Sequence, residues 1–175
     1  MKRTISLIIP AYNEEAYRGA CLESLKDQSF RDFELIVVDS NATDTTARVA
    51  RFYIDIVLSC PQQGISAARN FGAAHASGDI LCFIDADGIV SRHWVRHIST
   101  AFSGQKEIDA VCGFNLFRQT VLPKAVLYNL YNVIVFLSLL VSNHIGRPFV
   151  AGNNMPITKG LFLRVGGFPE FVGEA

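Results

Sequence analysis

The run Ile80-Leu81-Cys82-Phe83-Ile84 constrains the fold of this chain more than any other stretch. Five consecutive apolar residues, with Gly78-Asp79 before them and Asp85-Ala86-Asp87-Gly88 after them, read as a strand buried on both faces. A strand of that kind needs layers above and below its sheet. Two carboxylates follow at a spacing of two. Side chains at i and i+2 of an extended chain point the same way, so Asp85 and Asp87 are expected to converge just past the strand's end. Two hard oxygen donors there suit Mg²⁺ or Mn²⁺, with water and substrate phosphates completing the shell. An acidic Asp-Gly turn that holds no ligand would read the same way.

The stretches before this run repeat its pattern. Ile5 to Pro10 is a short apolar strand, followed by Ala11-Tyr12-Asn13-Glu14-Glu15, where Asn13 can cap a helix and the glutamates complement its dipole. That helix runs towards Lys26, and Ser29 to Phe33 connects onward. Glu34 to Asp39 is a second strand, Ser40 to Thr45 a polar turn, and a helix follows through Val49 and Phe52. Ile54 to Leu58 is a third strand and Ile65 to Ala76 an alanine-rich helix carrying Arg69 and Asn70. Strands alternating with helices predict a parallel α/β sheet with right-handed crossovers. Tyr12, Asp39 and Asp85 then share one rim, the rim where open α/β sheets bind ligands.

After Gly88 the pattern loosens. His93 to Phe102 is predicted helical, with His93 and His97 at i and i+4; Trp94 stands where a zinc protease has its glutamate, and no third ligand is evident. Ile108 to Phe117 is predicted as strand, interrupted by Gly113. Ala125 to Ser142 is almost wholly apolar, and no Lys, Arg, Asp or Glu lies between Lys124 and Arg147. Its length is at the lower edge of a membrane span. Asn129, Asn132 and Ser138 interrupt it, which favours a helix packed on the domain or lying in a membrane interface. Val150 to Asn154 and Pro156 read as a polar loop, and Leu161 to Val165 as a short helix ended by Gly166-Gly167.

The 175 residues fit one domain. Lys and Arg number 16, as do Asp and Glu, so no broad electrostatic case exists for nucleic acid. Cys21, Cys60, Cys82 and Cys112 are scattered without a Cys-x-x-Cys, so a reducing, cytoplasmic setting is expected, extending to the cytoplasmic face of a membrane.

In order and spacing, these stretches resemble family 2 glycosyltransferases, an inverting family with a GT-A fold. The resemblance rests on Ser6 to Glu15, Glu34 to Ser40 with Thr43-Asp44-Thr45-Thr46, Gly64 to Gly88 with its Asp-x-Asp, Gly152-Asn153, and Gly166-Gly167-Phe168. It implies a GT-A (Rossmann-like) three-layer α/β/α sandwich with a mostly parallel central sheet, C-terminally incomplete, in which residues 1–90 are the nucleotide-sugar donor half and residues 91–175 a partial acceptor half. It implies that Pro10, Ala11 and Tyr12 wrap a nucleotide base, that Glu14 lies near base or ribose, and that Asp39 hydrogen-bonds the base, commonly uracil. Arg69 would approach the diphosphate, and Asp85, Ala86 and Asp87 would hold the nucleotide-sugar with Mg²⁺ or Mn²⁺. The implied activity moves a sugar from a UDP-sugar to an acceptor hydroxyl, in a saccharide or a lipid-linked acceptor, with membrane-surface contact through Ala125 to Ser142. The family's general base, in an acidic pair shortly after Gly-Gly-Phe, has no match in Pro169 to Ala175, where Glu170 and Glu174 are the available carboxylates. The expectation is therefore a piece of a longer protein, or a product that binds donor without transferring it. Phe83 to Gly88 also resembles the Asp-x-Asp-Gly of haloacid dehalogenase phosphatases. There the motif opens the domain, whereas here three strand–helix units precede it.

Overall fold

The computed structural model describes residues 3–11, 18–40, 56–104, 108–111, 113, 122–144 and 154–169. Five strands form one sheet in the order β3-β2-β1-β4-β5. They are β1 (Ile5–Ala11), β2 (Glu34–Asp39), β3 (Ile56–Ser59), β4 (Ile80–Phe83) and β5 (Met155–Thr158). The pairs β1–β2, β1–β4 and β2–β3 are parallel. Lys159 N–H donates to the Asp79 carbonyl at 2.8 Å, which sets the end of β5 beside the start of β4 and runs β5 against the rest.

Alternation along the strands divides the core. Ile5, Leu7, Ile9 and Ala11 of β1 face one side, with Val37, Ile80, Cys82 and Ile84. Helices α1 (Arg18–Lys26) and α3 (Trp94–Phe102) cover that face through Leu22, Leu25, Val95 and Ile98. Ile8, Ile36, Val38, Leu81 and Phe83 face the other side, under α2 (Ile65–His75) and α5 (Lys159–Arg164). This is the expected three-layer α/β/α sandwich. Helix α2 lies close on the sheet at Gly72, where a Cβ would stand 2.6 Å from Ile8 Cγ2 and 2.9 Å from Val38 Cγ2. Burial pushes the Cys82 thiol far up, so it stays protonated as a packing group.

Two compact units make up the chain, Met1–Val111 with Pro156–Ala175, and Cys112–Met155. The second contains α4 (Leu122–His144), which is about 34 Å long at 1.5 Å per residue. Among its described side chains, Val126, Leu127, Leu130, Tyr131, Ile134, Leu137 and Val141 are exposed. Among the described residues, no helix is long and apolar enough to cross a membrane.

Two expectations need correction. Ile108–Val111 forms no strand; Ala110 makes a single antiparallel bridge to Ile157, and Thr158 N–H donates to the Asp109 carbonyl at 2.8 Å. The partner in that bridge is β5, in a segment whose end was read as loop. Pro156 explains the misreading: a proline is tolerated on an edge strand, yet it breaks the sequence signal for one.

The strand starts are tied together by carboxylates. Burial alone would raise the Glu34 pKa. Hydrogen bonds from Ser6 Oγ, Ser77 N–H (2.6 Å), Ser77 Oγ (2.9 Å) and Gly78 N–H (3.2 Å) outweigh that and hold it below its ordinary value. Asp79 is also held low, first by the Thr4 N–H at 2.9 Å, against a smaller burial penalty, with help from the Thr4 hydroxyl, Arg3 and Lys159. Both folded pKa values lie below their unfolded ones, so their stabilisation is complete above the unfolded values, about 4. It is lost as pH falls through the folded values. Urea midpoints are expected to be flat from neutral pH to about 5 and to drop below about 4. A Glu34→Gln, Asp79→Asn double variant should show a shallower acid limb; an unchanged limb would contradict this account.

Candidate functional site

The sheet order places β1 in the centre, β2 on one side and β4 on the other. The chain after β1 runs to β2 on one side, whereas the chain after β4 runs to β5 on the other, so the crevice between β1 and β4 is a topological switch point. Register carries the site residues to the same rim. Ala11 pairs with Asp39, and Ile8 with Phe83, so the chain after Phe83 emerges beside Pro10 and Ala11. Ser40 N–H donates to the Ala11 carbonyl at 3.1 Å and Ile84 N–H to the Ile8 carbonyl at 3.0 Å, which extends both pairings to the rim. Asp39, at the end of β2, and Asp85, two residues past β4, thus flank the end of β1, whose two neighbouring strands are about 10 Å apart. Ala11, Asp39 and Ala86 are buried, Asp85 is half-buried and Asp87 exposed. Tyr12, Glu14, Glu170 and Glu174 lie outside the described residues, as do the Thr43–Thr46 turn and Gly152-Asn153.

The aspartates do not converge through strand alternation. Strand β4 ends at Phe83, and Gly88 N–H donates to the Asp85 carbonyl at 2.9 Å. Asp85-Ala86-Asp87-Gly88 is therefore a turn closed by an i to i+3 hydrogen bond, in which the two-residue repeat of a pleated strand no longer applies. The buried Ala86 anchors the turn to the core formed with Ile84, leaving the two carboxylates at the water-facing side.

Arg69 connects this turn to the layer below it. Its Nη2 lies 2.6 Å from Asp85 Oδ1, with side-chain exposures of 10% for Arg69 and 35% for Asp85. Helix α2 delivers Arg69 sixteen residues before its partner. The Arg69 Nε is buried and has no partner among the described residues. The guanidinium carbon stands 5.1 Å from the centroid of the Phe168 ring. Phe168 in turn packs edge-on against Phe83, at 4.9 Å between centroids.

Phe168 belongs to a tight turn after α5. Gly167 N–H donates to the Phe162 carbonyl at 3.0 Å and Gly166 N–H to the Leu163 carbonyl at 3.2 Å, the paired bonds of a Schellman cap. Gly166 (φ +84) and Gly167 (φ +76) both occupy the left-handed region. The turn then meets Asn70 of α2. Asn70 Nδ2 donates to the Phe168 carbonyl, and Phe168 N–H donates to Asn70 Oδ1, each at 2.9 Å. Neither contact is legible in the sequence, where Gly166-Gly167 reads as the end of a short helix and Asn70 as a polar residue on an alanine-rich one.

The donor set fits a hard divalent cation that keeps most of its own ligands. Two carboxylates stand at the turn, open to water, and no group of three or more His, Cys, Asp or Glu that could hold a metal exists among the described residues. Mg²⁺ and Mn²⁺ are commonly bound by one or two carboxylates, the phosphates of a ligand and water. Of the two histidines considered for a metal, His93 occupies the N-cap position of α3 and shares a 2.8 Å hydrogen bond with Ser29 Oγ, with its ring centroid 6.3 Å from that of His97. A cleft of about 340 Å³, lined by Arg3, Asp79, Asp109, Thr158 and Arg164 among others, opens where β1 and β4 begin and holds none of these residues.

This rim, with its Asp-x-Asp turn past a central parallel strand, is what a GT-A fold presents, and the chain belongs to glycosyl transferase family 2, whose model matches residues 6–162. Glycosyltransferase AglE of Haloferax volcanii is 34% identical over 117 residues, covering 62% of this chain and 38% of AglE. The chain thus spans well under half of that relative's length. The structure of glucosyl-3-phosphoglycerate synthase from Mycobacterium tuberculosis, in complex with Mn²⁺, UDP and glucosyl-3-phosphoglycerate, matches 91% of this chain and 58% of its own. Its TM-score is 0.65 at 25% identity. The mannosyltransferase PcManGT from Pyrobaculum calidifontis, in complex with GDP-Man and Mn²⁺, shares the fold over 97% of this chain and 48% of its own, at TM-score 0.73 and 23% identity.

Proposed function

We propose that this chain carries the donor site of an inverting glycosyltransferase that takes a nucleoside diphosphate sugar, UDP-linked in the first instance, with Mg²⁺ or Mn²⁺. The observation that carries this reading is the placement of Asp39 and Asp85 on either side of the β1 end, with Arg69 locked onto Asp85. The structures of related fold bound to UDP or GDP-mannose with Mn²⁺ support it.

In this reading Pro10, Ala11 and Tyr12 form the wall against the base, Glu14 lies near base or ribose, and Asp39 accepts a hydrogen bond from the uracil N–H. Asp85 and Asp87 hold the cation, which supplies charge neutralisation for the departing diphosphate. Arg69 adds a fixed positive charge beside it, in a partly buried setting where such a charge acts more strongly than in water. The acceptor hydroxyl needs a base within hydrogen-bond reach. Glu174 is the residue named for that role from the sequence.

A saccharide or lipid-linked acceptor follows from the family, and the second unit favours a membrane-proximal one. Residues 112–155, the second unit, contain no Asp or Glu, but they include Arg118, Lys124 and Arg147. An apolar helix face within a wholly basic segment suits an anionic lipid surface.

Calorimetric titration tests the donor site. UDP or GDP should bind with Mn²⁺ present and at least about tenfold more weakly with the cation chelated, since the two acidic side chains alone repel phosphate. No binding of either nucleotide with either metal would refute the reading. Release of sugar from a panel of UDP- and GDP-sugars separates a transferase from a binding-only chain. The same preparation should sediment with phosphatidylglycerol-containing vesicles at low salt and not with phosphatidylcholine alone; equal behaviour with both would remove the lipid contact.

A further inference from the structure

Phe168, in the Gly166-Gly167-Phe168 turn, lies 98 residues from Asn70 in sequence, yet two hydrogen bonds join its backbone to the Asn70 side chain. Those bonds use both the oxygen and the nitrogen of one amide side chain, so they fix the turn in translation and in rotation. Gly167 is required there: a Cβ would stand 2.7 Å from Asn70 Oδ1, on a backbone already at φ +76. The fixed turn places the Phe168 ring under the Arg69 guanidinium, and the Phe83 and Phe162 rings support it from beneath at 4.9 and 5.7 Å. Arg69 is thus held from two sides, by the Asp85 carboxylate and by the Phe168 face. Its Nε remains buried and unpartnered among the described residues, a donor still needing an acceptor.

We propose that Phe168 and Asn70 are positioning residues for Arg69, so that the Gly-Gly-Phe turn sets donor affinity through the guanidinium as well as bordering the acceptor side. The inference rests on the nucleotide-sugar reading of the rim. A guanidinium over an aromatic face keeps its edge N–H groups available while its position is restrained. When a diphosphate brings anionic oxygens to the Asp85 turn, Arg69 meets them without reorganising, and Nε gains its missing partner.

The test is a double-mutant cycle read by calorimetric titration of UDP with Mn²⁺ on the full chain. Phe168→Leu keeps apolar bulk and removes the ring face. It is expected to weaken UDP binding about three- to tenfold, the range of one cation–π contact. In an Arg69→Gln background the same change should have almost no further effect, because the group it positions is gone. Asn70→Ala, which releases the turn and leaves the ring intact, should behave in the same way if Phe168→Leu proves too unstable to purify. A purely structural role would lower the melting temperature and weaken UDP equally in both backgrounds, which would overturn the proposal. So would a Phe168→Leu variant with unchanged affinity. Failure of the unaltered chain to bind UDP or GDP would overturn the donor-site reading and this inference together, whereas binding that survives both variants overturns this inference alone.

Discussion

Asp85→Asn is expected to abolish metal-dependent UDP binding and to lower any sugar transfer by about two to three orders of magnitude, the usual cost of removing one preorganised electrostatic group. Two losses coincide at this residue. On the proposed reading the cation loses one of its two protein carboxylates, and in the structure Arg69 loses its counter-charge at 2.6 Å. The second loss has its own signature. Arg69 is about nine-tenths buried, so an unneutralised guanidinium there is costly, although Asp85 at 35% exposure admits enough water to moderate the effect. Asp85→Asn should therefore lower the melting temperature as well as ligand affinity. Asp87→Asn makes a useful contrast. Asp87 is exposed and has no ion pair among the described residues, so its variant should lose metal-dependent binding at unchanged stability. Calorimetry and thermal melts on both variants check the pair. Unaltered Mn²⁺-dependent binding in both would remove the metal role from this turn.

Phe83→Ala carries the largest expected effect on stability. The side chain is 1% exposed at the end of β4, and its ring meets Phe162 at 5.4 Å and Phe168 at 4.9 Å. Truncating a buried phenylalanine costs about 3–5 kcal/mol, and loss of an aromatic pair adds about 1 kcal/mol more. That is a large part of a typical domain's total stability, about 5–15 kcal/mol. For a chain of this size the total corresponds to a fall in Tm of roughly 8–24 °C. Phe83→Leu should cost much less, because it keeps most of the volume. A fall below about 3 °C for the alanine variant, followed by circular dichroism, would contradict the central place given to this ring.

Much of the sheet was legible from the residues because β1, β2 and β4 are largely buried on both faces and so write short apolar runs, broken inside β1 by the buried Ser6. Parallel order followed from the alternation with helices, and the shared rim of Asp39 and Asp85 followed from parallel order. The strand β5 was not legible, since a four-residue edge strand containing Pro156 offers neither a run nor an alternation. The route to convergence of Asp85 and Asp87 also failed, because strand geometry was carried two residues past the end of the strand. Contacts between elements left no trace in the local pattern. Nothing in Ala68-Arg69-Asn70 says that one side chain will meet a carboxylate on the next strand while its neighbour grips the backbone at Phe168. Asn70 stood in view as a polar residue in an alanine-rich helix, the one local signal that something was being held there.

The distance along the chain between Asn70 and Phe168 also sets an order of events during synthesis. A ribosome delivers α2, β4 and the Asp85 turn long before the Schellman turn that braces Arg69. A nascent chain that has passed β4 can pair its central strands, since those contacts lie behind it. Its Arg69 has the Asp85 carboxylate but no aromatic floor. The proposed donor site would therefore be completed by the return of a late segment to an early helix, a long-range closure of the kind that slows folding. Competence to grip a nucleotide tightly should appear in nascent chains only after Phe168 has cleared the exit tunnel, well after the sheet itself can form.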